Sequence, residues 1–159
     1  MGGQAAYVAV VGAGTDDPEL EALAEEVGRR LAAAGATVVC GGLGGVMAAA
    51  SRGARAAGGT TLGILPGSDR RDANPWVDVA VPTGMGELRN ALIVRTVDAV
   101  IAIGGGYGTL SEIAFALKTG VAVIGLRTWS LPETRPDPLT RARDPEEAVG
   151  RALGAARRR

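Results

Sequence analysis

Short apolar runs alternate along this chain with stretches in which the apolar residues have helical spacing. This alternation constrains the fold more than any other feature, because strands buried on both faces need near-continuous apolar sequence and parallel strands need long crossover connections. It predicts strands over 7–11, 36–40, 60–65, 77–81, 99–103 and 121–126, and helices over 18–34, 46–57, 86–96 and 109–118. We therefore expect a doubly wound, Rossmann-like α/β fold with one mostly parallel sheet and helices on both faces.

The chain has 159 residues, which is an ordinary length for one domain. We expect 1–159 to form a single domain whose core lies at about 7–126. The C-terminal extension, 127–159, is rich in proline and charge, and within it only 145–156 has helical spacing. The extension is therefore not expected to form a second core.

Composition excludes several kinds of chemistry. The chain has no histidine and a single cysteine, Cys40, which excludes an intrachain disulfide, a Cys/His zinc site and a histidine general base. Basic and acidic residues are equal in number at 17, and aromatic residues make up 3% of the chain, which argues against a nucleic-acid partner. No apolar run approaches the roughly 18 residues of a membrane span. We expect a cytoplasmic protein without a bound metal.

Three glycine-bearing loops follow predicted strands: 12–14 (GAG), 41–45 (GGLGG) and 104–109 (GGGYGT). In a parallel sheet the ligand binds beyond the carboxyl ends of the strands, where backbone N–H groups and helix N-termini receive an anion. The loops therefore predict that the domain binds a nucleotide or another phosphorylated ligand. For loop 41–45 taken alone, tight turns between strand and helix explain the glycines equally well.

Two common nucleotide-binding motifs are absent. The first loop has Gly12 and Gly14 but no third glycine at the dinucleotide spacing, and no acidic residue ends the second strand. NAD binding is therefore not favoured. The chain also lacks the G-x-x-x-x-G-K-[ST] sequence of P-loop nucleotide hydrolases.

Loop 104–109 is the most specific of the three. Its three consecutive glycines allow a ligand close to the backbone, and Thr109 lies where a helix is predicted to begin. The Thr109 hydroxyl then either binds a phosphate or caps the helix. Glu112 lies one turn later, so its carboxylate either faces the ligand or completes a capping box with Thr109.

Three further side chains have alternative roles. Arg89 precedes the strand that ends at loop 104–109, and it either neutralises a phosphate, pairs with Glu112 or is a solvated surface arginine. Tyr107 either stacks on a base or covers the loop. Cys40, at the end of a predicted strand, is interpreted as a small buried apolar residue rather than a nucleophile.

The sequence from Arg89 to Glu112 resembles one known family. It contains RN at 89–90, DAVIAI at 98–103 and GGYGTLSE at 105–112. This pattern is similar to the hallmark of the LOG ("Lonely Guy", lysine-decarboxylase-like) superfamily, an arginine upstream of P-G-G-x-G-T-x-x-E. The sequence GGLGGVM at 41–47 is similar to that family's earlier glycine loop, so the resemblance spans most of 7–126.

The resemblance implies an activity and a site. LOG enzymes hydrolyse the N-glycosidic bond of cytokinin nucleoside 5′-monophosphates to base and ribose 5-phosphate. By this resemblance Arg89 and Glu112 are the catalytic pair, and Gly105, Gly106, Gly108 and Thr109 hold the phosphate. The full set of ligand-binding residues that we predict is Gly12, Gly14, Gly41, Gly42, Gly45, Met47, Arg89, Asn90, Gly105, Gly106, Tyr107, Gly108 and Thr109.

The chain departs from the LOG enzymes in three respects. Asn90 replaces a basic residue, Gly104 replaces the proline that begins the motif, and no histidine precedes the arginine. Together with EIAFALK at 112–118, these departures resemble a sister branch that contains the molybdenum-cofactor carrier proteins. That branch implies a nucleoside 5′-monophosphate or the molybdenum cofactor as cargo, with no other cofactor required.

Three functions stay open at this point. The preferred one is a carrier of a phosphorylated ligand. The alternative is a phosphoribohydrolase in which Glu112 assists departure of the base or activates water while Arg89 orients the phosphoribosyl group. The third is an assembly protein with a vestigial pocket. Because LOG enzymes and carriers are homo-oligomers, the resemblance also implies a dimer or tetramer, formed through the alanine-rich helix and the helix at 109–118.

Overall fold

The predicted doubly wound α/β fold is confirmed by the computed structural model, which describes residues 4–131 and 136–159. The strands within these residues are β1 (Tyr7–Gly12), β2 (Thr37–Cys40), β3 (Thr61–Leu65), β4 (Val79–Pro82), β5 (Ala99–Ile103), β6 (Ala122–Leu126) and β7 (Thr140–Arg141). They form one sheet in the order β4-β3-β2-β1-β5-β6-β7, and each neighbouring pair is parallel. The α-helices are α1 (Pro18–Ala33), α2 (Val46–Ala56), α3 (Arg89–Thr96), α4 (Tyr107–Thr119) and α5 (Pro145–Ala156).

The two central strands, β1 and β5, send alternate side chains into two separate cores. In β5, Ile101 and Ile103 pack on one face of the sheet, while Val100 and Ala102 pack on the other. This alternation follows from the two-residue repeat of a strand. The first core is completed by α1, α2 and α5, and the second by α3 and α4. Because both faces are covered, all five residues of β5 are buried and apolar.

Helices α1 and α2 are in contact through glycines. A Cβ atom on Gly28 would lie 2.0 Å from the carbonyl oxygen of Ala50, and one on Gly53 would lie 1.9 Å from that of Glu25. The backbones therefore approach more closely than any side chain would allow. The buried alanines of α2, which we expected at an oligomer interface, thus pack within the chain.

The C-terminal extension contributes to the core that was expected to end near residue 126. Ala148, Val149 and Ala152 of α5 are buried in the first core, and β7 adds a two-residue edge to the sheet beside β6. A strand this short leaves no periodic signal in the sequence. Among the helices of the described residues, none is both long and apolar enough to span a membrane.

Candidate functional site

A cavity of about 380 Å³ opens at the carboxyl edge of the sheet, where the loops after β1, β2 and β5 meet. From β1 the chain continues to β2, β3 and β4 on one side of β1, whereas β5, β6 and β7 lie on its other side. The cavity is therefore at the point where the strand order reverses. Ligands bind at such points in doubly wound sheets. The lining residues are Val11, Gly12, Ala13, Gly14, Thr15, Gly41, Met47, Glu87, Arg89, Asn90, Gly106, Gly108, Thr109 and Glu112.

Two of the helices that begin beside this cavity have no side-chain cap. Helix α2 starts after Gly45 and α4 starts after Gly106, and neither glycine can supply a capping oxygen. By contrast, Asp17 caps α1 and Asp144 caps α5 with carboxylates that accept first-turn N–H groups. The N–H groups of Gly108 and Thr109, which lie in the first turn of α4 and line the cavity, therefore lack the oxygen that a capping side chain provides.

The loop before α4 adopts a conformation that favours glycine. Gly104 and Gly105 have φ values of 57° and 106°, and a Cβ atom on Gly105 would lie 2.3 Å from Oγ1 of Thr109. A Cβ atom on Gly106 would meet no protein atom within 4 Å, so this residue leaves open space beside the backbone.

Thr109 does not begin the helix as predicted, because α4 starts two residues earlier, at Tyr107. The alternative in which Thr109 caps the helix, and Glu112 completes a capping box with it, is therefore wrong. Thr109 is instead in the first turn, is 4% exposed, and its hydroxyl makes no hydrogen bond within the described parts of the chain.

Arg89 is buried, with 7% of its surface exposed, and so it is not a solvated surface arginine. Its guanidinium donates one hydrogen bond to Oδ1 of Asn90 and a long one of 3.4 Å to the carbonyl oxygen of Gly41. Its Nε atom is buried without a partner. Of the ion pairs in the described residues none involves Arg89, and so the predicted alternative of a pair with Glu112 is not formed.

Glu112 faces the same cavity from the first part of α4 and is 6% exposed. Burial raises the pKa of its carboxyl to about 8; the positive charge of Arg89 opposes this shift, and the negative charge of Glu87 adds to it. The carboxyl is therefore mostly protonated at neutral pH. Within the described residues it makes no hydrogen bond.

Cys40 is the last residue of β2, directly before the cavity residue Gly41, and is fully buried. Its sulfur is 3.4 Å from Oγ of Ser51 and accepts a 3.3 Å hydrogen bond from the N–H of Gly42. Burial raises the pKa of its thiol. A protonated, enclosed thiol is not a nucleophile, which agrees with the interpretation of Cys40 as a small apolar residue.

Most of the predicted site residues are brought together at the cavity. Those that line it are Gly12, Gly14, Gly41, Met47, Arg89, Asn90, Gly106, Gly108, Thr109 and Glu112. Both members of the predicted Arg89 and Glu112 pair are in this group, although 23 positions separate them in sequence. Their contacts with a ligand stay a prediction.

Four predicted residues do not line the cavity. Gly42 and Gly45 have φ values of 79° and 62°, and a Cβ atom would press Gly42 against Leu65 and Gly45 against the carbonyl of Ala13. Gly105 packs on Thr109, and Tyr107 is 84% exposed, with its ring 5.8 Å from that of Trp129. Gly42, Gly45 and Gly105 therefore contribute to the backbone conformation of the loops rather than to the surface of the cavity.

Four lining residues were not predicted: Val11, Ala13, Thr15 and Glu87. Ala13 and Thr15 follow the same strand as Gly12, and their position after that strand was the signal available for them. Glu87 belongs to a short 3-10 helix, Gly86–Leu88, that precedes α3. One turn of this kind has no periodicity that would reveal which side chain faces the sheet edge. In residues 4–131 and 136–159 no cluster of three or more acidic or cysteine side chains is placed to hold a metal ion.

Comparison of the sequence with known proteins gives one family and several relatives. The family model described as the SLOG cluster4 family matches residues 5–152. An uncharacterized protein of Archaeoglobus fulgidus is 43% identical over 136 residues, which are 79% of this chain and 89% of that protein. A cytokinin riboside 5′-monophosphate phosphoribohydrolase of Mycobacterium marinum is 41% identical over 100 residues, which are 60% of this chain but only 53% of the enzyme. This chain thus matches about half the length of that enzyme.

Similar solved structures cover almost the whole chain. The molybdenum cofactor binding protein of Rippkaea orientalis has a TM-score of 0.87 and 34% identity, with 95% of this chain and 97% of that chain covered. A Moco carrier protein of Chlamydomonas reinhardtii has a TM-score of 0.86 and 31% identity, with 98% and 100% covered. Both likenesses cover more of the chain than the region that carried the sequence motifs.

Proposed function

This chain belongs to the SLOG cluster4 family, and from that premise we propose that it is a LOG-like carrier that binds a phosphorylated, nucleotide-like ligand in the cavity. Candidate ligands are a nucleoside 5′-monophosphate and the molybdenum cofactor. The latter is cargo in this proposal and takes no part in a reaction.

One observation carries the proposal: a buried arginine without a carboxylate partner lines the same cavity as a helix N-terminus that has no side-chain cap. The arginine forms no ion pair with a carboxylate, and the helix N-terminus has no acidic side chain as its cap. The positive end of a helix dipole and a guanidinium both favour an anion, and the N–H groups of the first turn can donate hydrogen bonds to phosphate oxygens. A phosphate between them would meet both needs.

The lining residues suggest how a ligand would lie. We place the phosphate against Gly106, Gly108 and Thr109, where no Cβ atom from either glycine obstructs approach to the backbone. Arg89 supplies the countercharge from the adjacent wall. The remaining part of the cavity, toward Gly14 and Met47, then accommodates the heterocycle.

The carrier is preferred to the hydrolase because the wall offers little for bond cleavage. Glu112 is mostly protonated at neutral pH, so it is poorly suited to activate water as a base. Asn90 stands where LOG enzymes have a basic residue. The similar structures named above are a molybdenum cofactor binding protein and a Moco carrier protein.

A phosphoribohydrolase is the second candidate. The protonated carboxyl of Glu112, although a poor base, favours this activity as an acid. A carboxyl group with a pKa of about 8 is an effective proton donor at neutral pH. Placed beside a glycosidic nitrogen, it would protonate the departing base as the bond between C1′ and nitrogen breaks, while water adds to C1′ and returns a proton to the carboxylate. Arg89 would hold the phosphoribosyl group. The relative from Mycobacterium marinum bears the name of this activity.

Binding and turnover can be measured in one series. The purified protein is titrated by calorimetry with AMP, GMP, N6-isopentenyl-AMP and the molybdenum cofactor, and each mixture is then analysed by chromatography for free base. Saturable binding without base supports the carrier. Release of base and ribose 5-phosphate in equal amounts supports the hydrolase, and flat titrations with all four compounds contradict both.

A further inference from the structure

Two side chains from the segment after β6 hold the glycine loop that leads into α4. The hydroxyl of Thr128 donates a 2.6 Å hydrogen bond to the carbonyl oxygen of Gly104, and the indole N–H of Trp129 donates a 3.0 Å hydrogen bond to that of Gly106. Neither Thr128 nor Trp129 is among the residues that line the cavity. Their hydrogen bonds reach the cavity wall through these two carbonyl groups.

The hydrogen bonds fix the orientation of two peptide planes. In a planar trans peptide the C=O and the following N–H point in opposite directions. Holding the Gly104 carbonyl therefore directs the N–H of Gly105 away from Thr128, and holding the Gly106 carbonyl directs the N–H of Tyr107 away from Trp129. The Gly106 carbonyl also accepts the first helical hydrogen bond, from Leu110 at 3.0 Å, which orients this plane along the start of α4.

A sharp backbone turn at Arg127 precedes the two donor residues, Thr128 and Trp129. Arg127 has a φ of 53°, the one positive value among the non-glycine residues that the structure describes. A residue with a side chain adopts this conformation only where its surroundings enforce it. It turns the chain immediately before Thr128.

Trp129 is anchored from two further directions. Its carbonyl oxygen accepts a 2.7 Å hydrogen bond from Arg141 of β7, and Arg141 forms a 2.7 Å ion pair with Asp137. Its ring lies 5.8 Å from that of Tyr107, the first residue of α4. Both the backbone and the ring of Trp129 are therefore held, and these contacts fix the position of the indole N–H that bonds to Gly106.

We propose that Thr128 and Trp129 are positioning residues of the anion site: they hold the peptide planes on both sides of the Gly105–Gly106 segment, and so keep the Gly106–Thr109 wall in the orientation that leaves it open to a phosphate. This inference rests on the proposed function. Without the Thr128 hydroxyl, the Gly104 peptide would sample orientations that turn its carbonyl oxygen toward the phosphate, because glycine peptides rotate easily. Without the Trp129 indole, the Gly106 carbonyl would be held by the Leu110 N–H alone.

The test uses variants that remove one hydrogen bond each. Thr128→Val keeps the shape of the side chain but loses the hydroxyl, and Thr128→Ser restores it. Trp129→Phe keeps an aromatic ring beside Tyr107 but loses the N–H. Trp76→Phe is the matched control, because Trp76 packs against Arg52 at another part of the molecule. The probe is inorganic phosphate, followed by NMR through the amide signals of residues 105–109, together with backbone order parameters of the phosphate-free proteins.

We expect Thr128→Val and Trp129→Phe to bind phosphate about 3- to 10-fold more weakly, the effect of one neutral hydrogen bond, and to have lower order parameters at Gly105 and Tyr107. Thr128→Ser and Trp76→Phe should match the wild type in both measurements. Wild-type affinity in Thr128→Val and Trp129→Phe overturns the proposal. A flat titration of the wild type contradicts the proposed function instead, and the order parameters then decide separately whether the two side chains hold the loop.

Discussion

Arg89 and Glu112 are two buried ionisable residues that do not satisfy each other. A buried guanidinium loses its hydration, and the loss is offset only when an anion and further hydrogen bonds are supplied. In this structure Arg89 has carbonyl partners at Asn90 and Gly41 but no anion, while the nearby carboxyl of Glu112 stays mostly protonated. Glu87 lines the same cavity, but none of the ion pairs in the described residues joins it to Arg89, so the guanidinium has no directly bonded anion before a ligand binds.

Replacement of Arg89 tests whether this charge binds the ligand. Arg89→Met keeps a long side chain, and we expect it to weaken phosphate binding about 10- to 100-fold, because a charge-assisted hydrogen bond contributes about 1.5–3 kcal/mol. The melting temperature should stay the same or rise, since an unpaired buried charge is removed. Calorimetric titration and thermal unfolding measure the two effects. Arg95→Met, at an exposed position of the same helix, is the control, and wild-type affinity in Arg89→Met would contradict the assignment.

Replacement of Glu112 separates the two candidate functions. Glu112→Gln has the same shape but cannot transfer a proton. If the protein is a hydrolase, release of base should fall by about 100-fold or more while phosphate binding persists. If it is a carrier, affinity should change only modestly and neither protein should release base. Loss of binding with no effect on folding would contradict both outcomes and would mean that the carboxyl contacts the ligand directly.

At the scale of elements, the start of α4 is the feature on which the binding site depends most. Gly106 caps the helix through its backbone alone, and the space beside it is open. We expect Gly106→Val to place a branched side chain where the phosphate lies and to abolish measurable phosphate binding, with little change in the melting temperature. Ala114→Val, at an exposed position of the same helix, is the control for the branched side chain. Unchanged affinity in Gly106→Val would show that the loop is only a turn.

Helices α1 and α2, which follow the first two glycine loops, pack closely against each other through Gly28 and Gly53. A glycine in a helix is normally destabilising relative to alanine by roughly 0.5–1 kcal/mol. At Gly28 steric repulsion outweighs that gain, because the new methyl group would overlap the backbone of Ala50 at 2.0 Å. We expect Gly28→Ala to lower the free energy of unfolding by about 1–3 kcal/mol. Gly150→Ala, on the open surface of α5, should raise it slightly; urea unfolding of both variants compares them.

The sequence predicted most accurately those strands and helices whose buried residues recur with a regular spacing. The strand Ala99–Ile103 and the helix Pro145–Ala156 were predicted at their observed bounds, because one is buried on both faces and the other has a clear apolar stripe. The start of α4 was placed two residues late, since Thr109 is a typical capping residue whereas Gly106 caps without a side chain. Glu87, Thr128 and Trp129 gave no local signal, because their roles come from contacts made only after the chain folds.

For the molecule as a whole, the pattern of alternating elements predicted the fold and the edge of the sheet at which the loops meet. It did not predict the protonation of Glu112 or the burial of Arg89 at that edge. The burial of Glu112, on α4, and of Arg89, on α3, follows from the packing of these two helices on one face of the sheet. The titration of Glu112 connects this local environment to the stability of the whole chain.

The last prediction is that stability falls with rising pH because of Glu112. Its pKa is about 8 in the folded protein and has an ordinary value of 4.5 when the chain unfolds. Below pH 4.5 the carboxyl is protonated in both states. Between the two values the unfolded chain releases the proton and the folded protein keeps it, so the free energy of unfolding decreases with rising pH until about 8.

Glu112→Gln cannot ionise, so its free energy of unfolding should exceed that of the wild type by a margin that grows across this window and then becomes constant, on the order of a few kcal/mol at most. Urea unfolding of both proteins from about pH 5 to about pH 9 measures the margin. Other carboxyls, such as Glu26, whose pKa the hydrogen bond from Arg29 lowers to about 2, contribute equally to both proteins and cancel. Glu146→Gln, on the surface of α5, should follow the wild type at each pH. A margin for Glu112→Gln that does not vary with pH would mean that the carboxyl is already ionised in the folded protein, and the proton donor required by the hydrolase mechanism would then be absent.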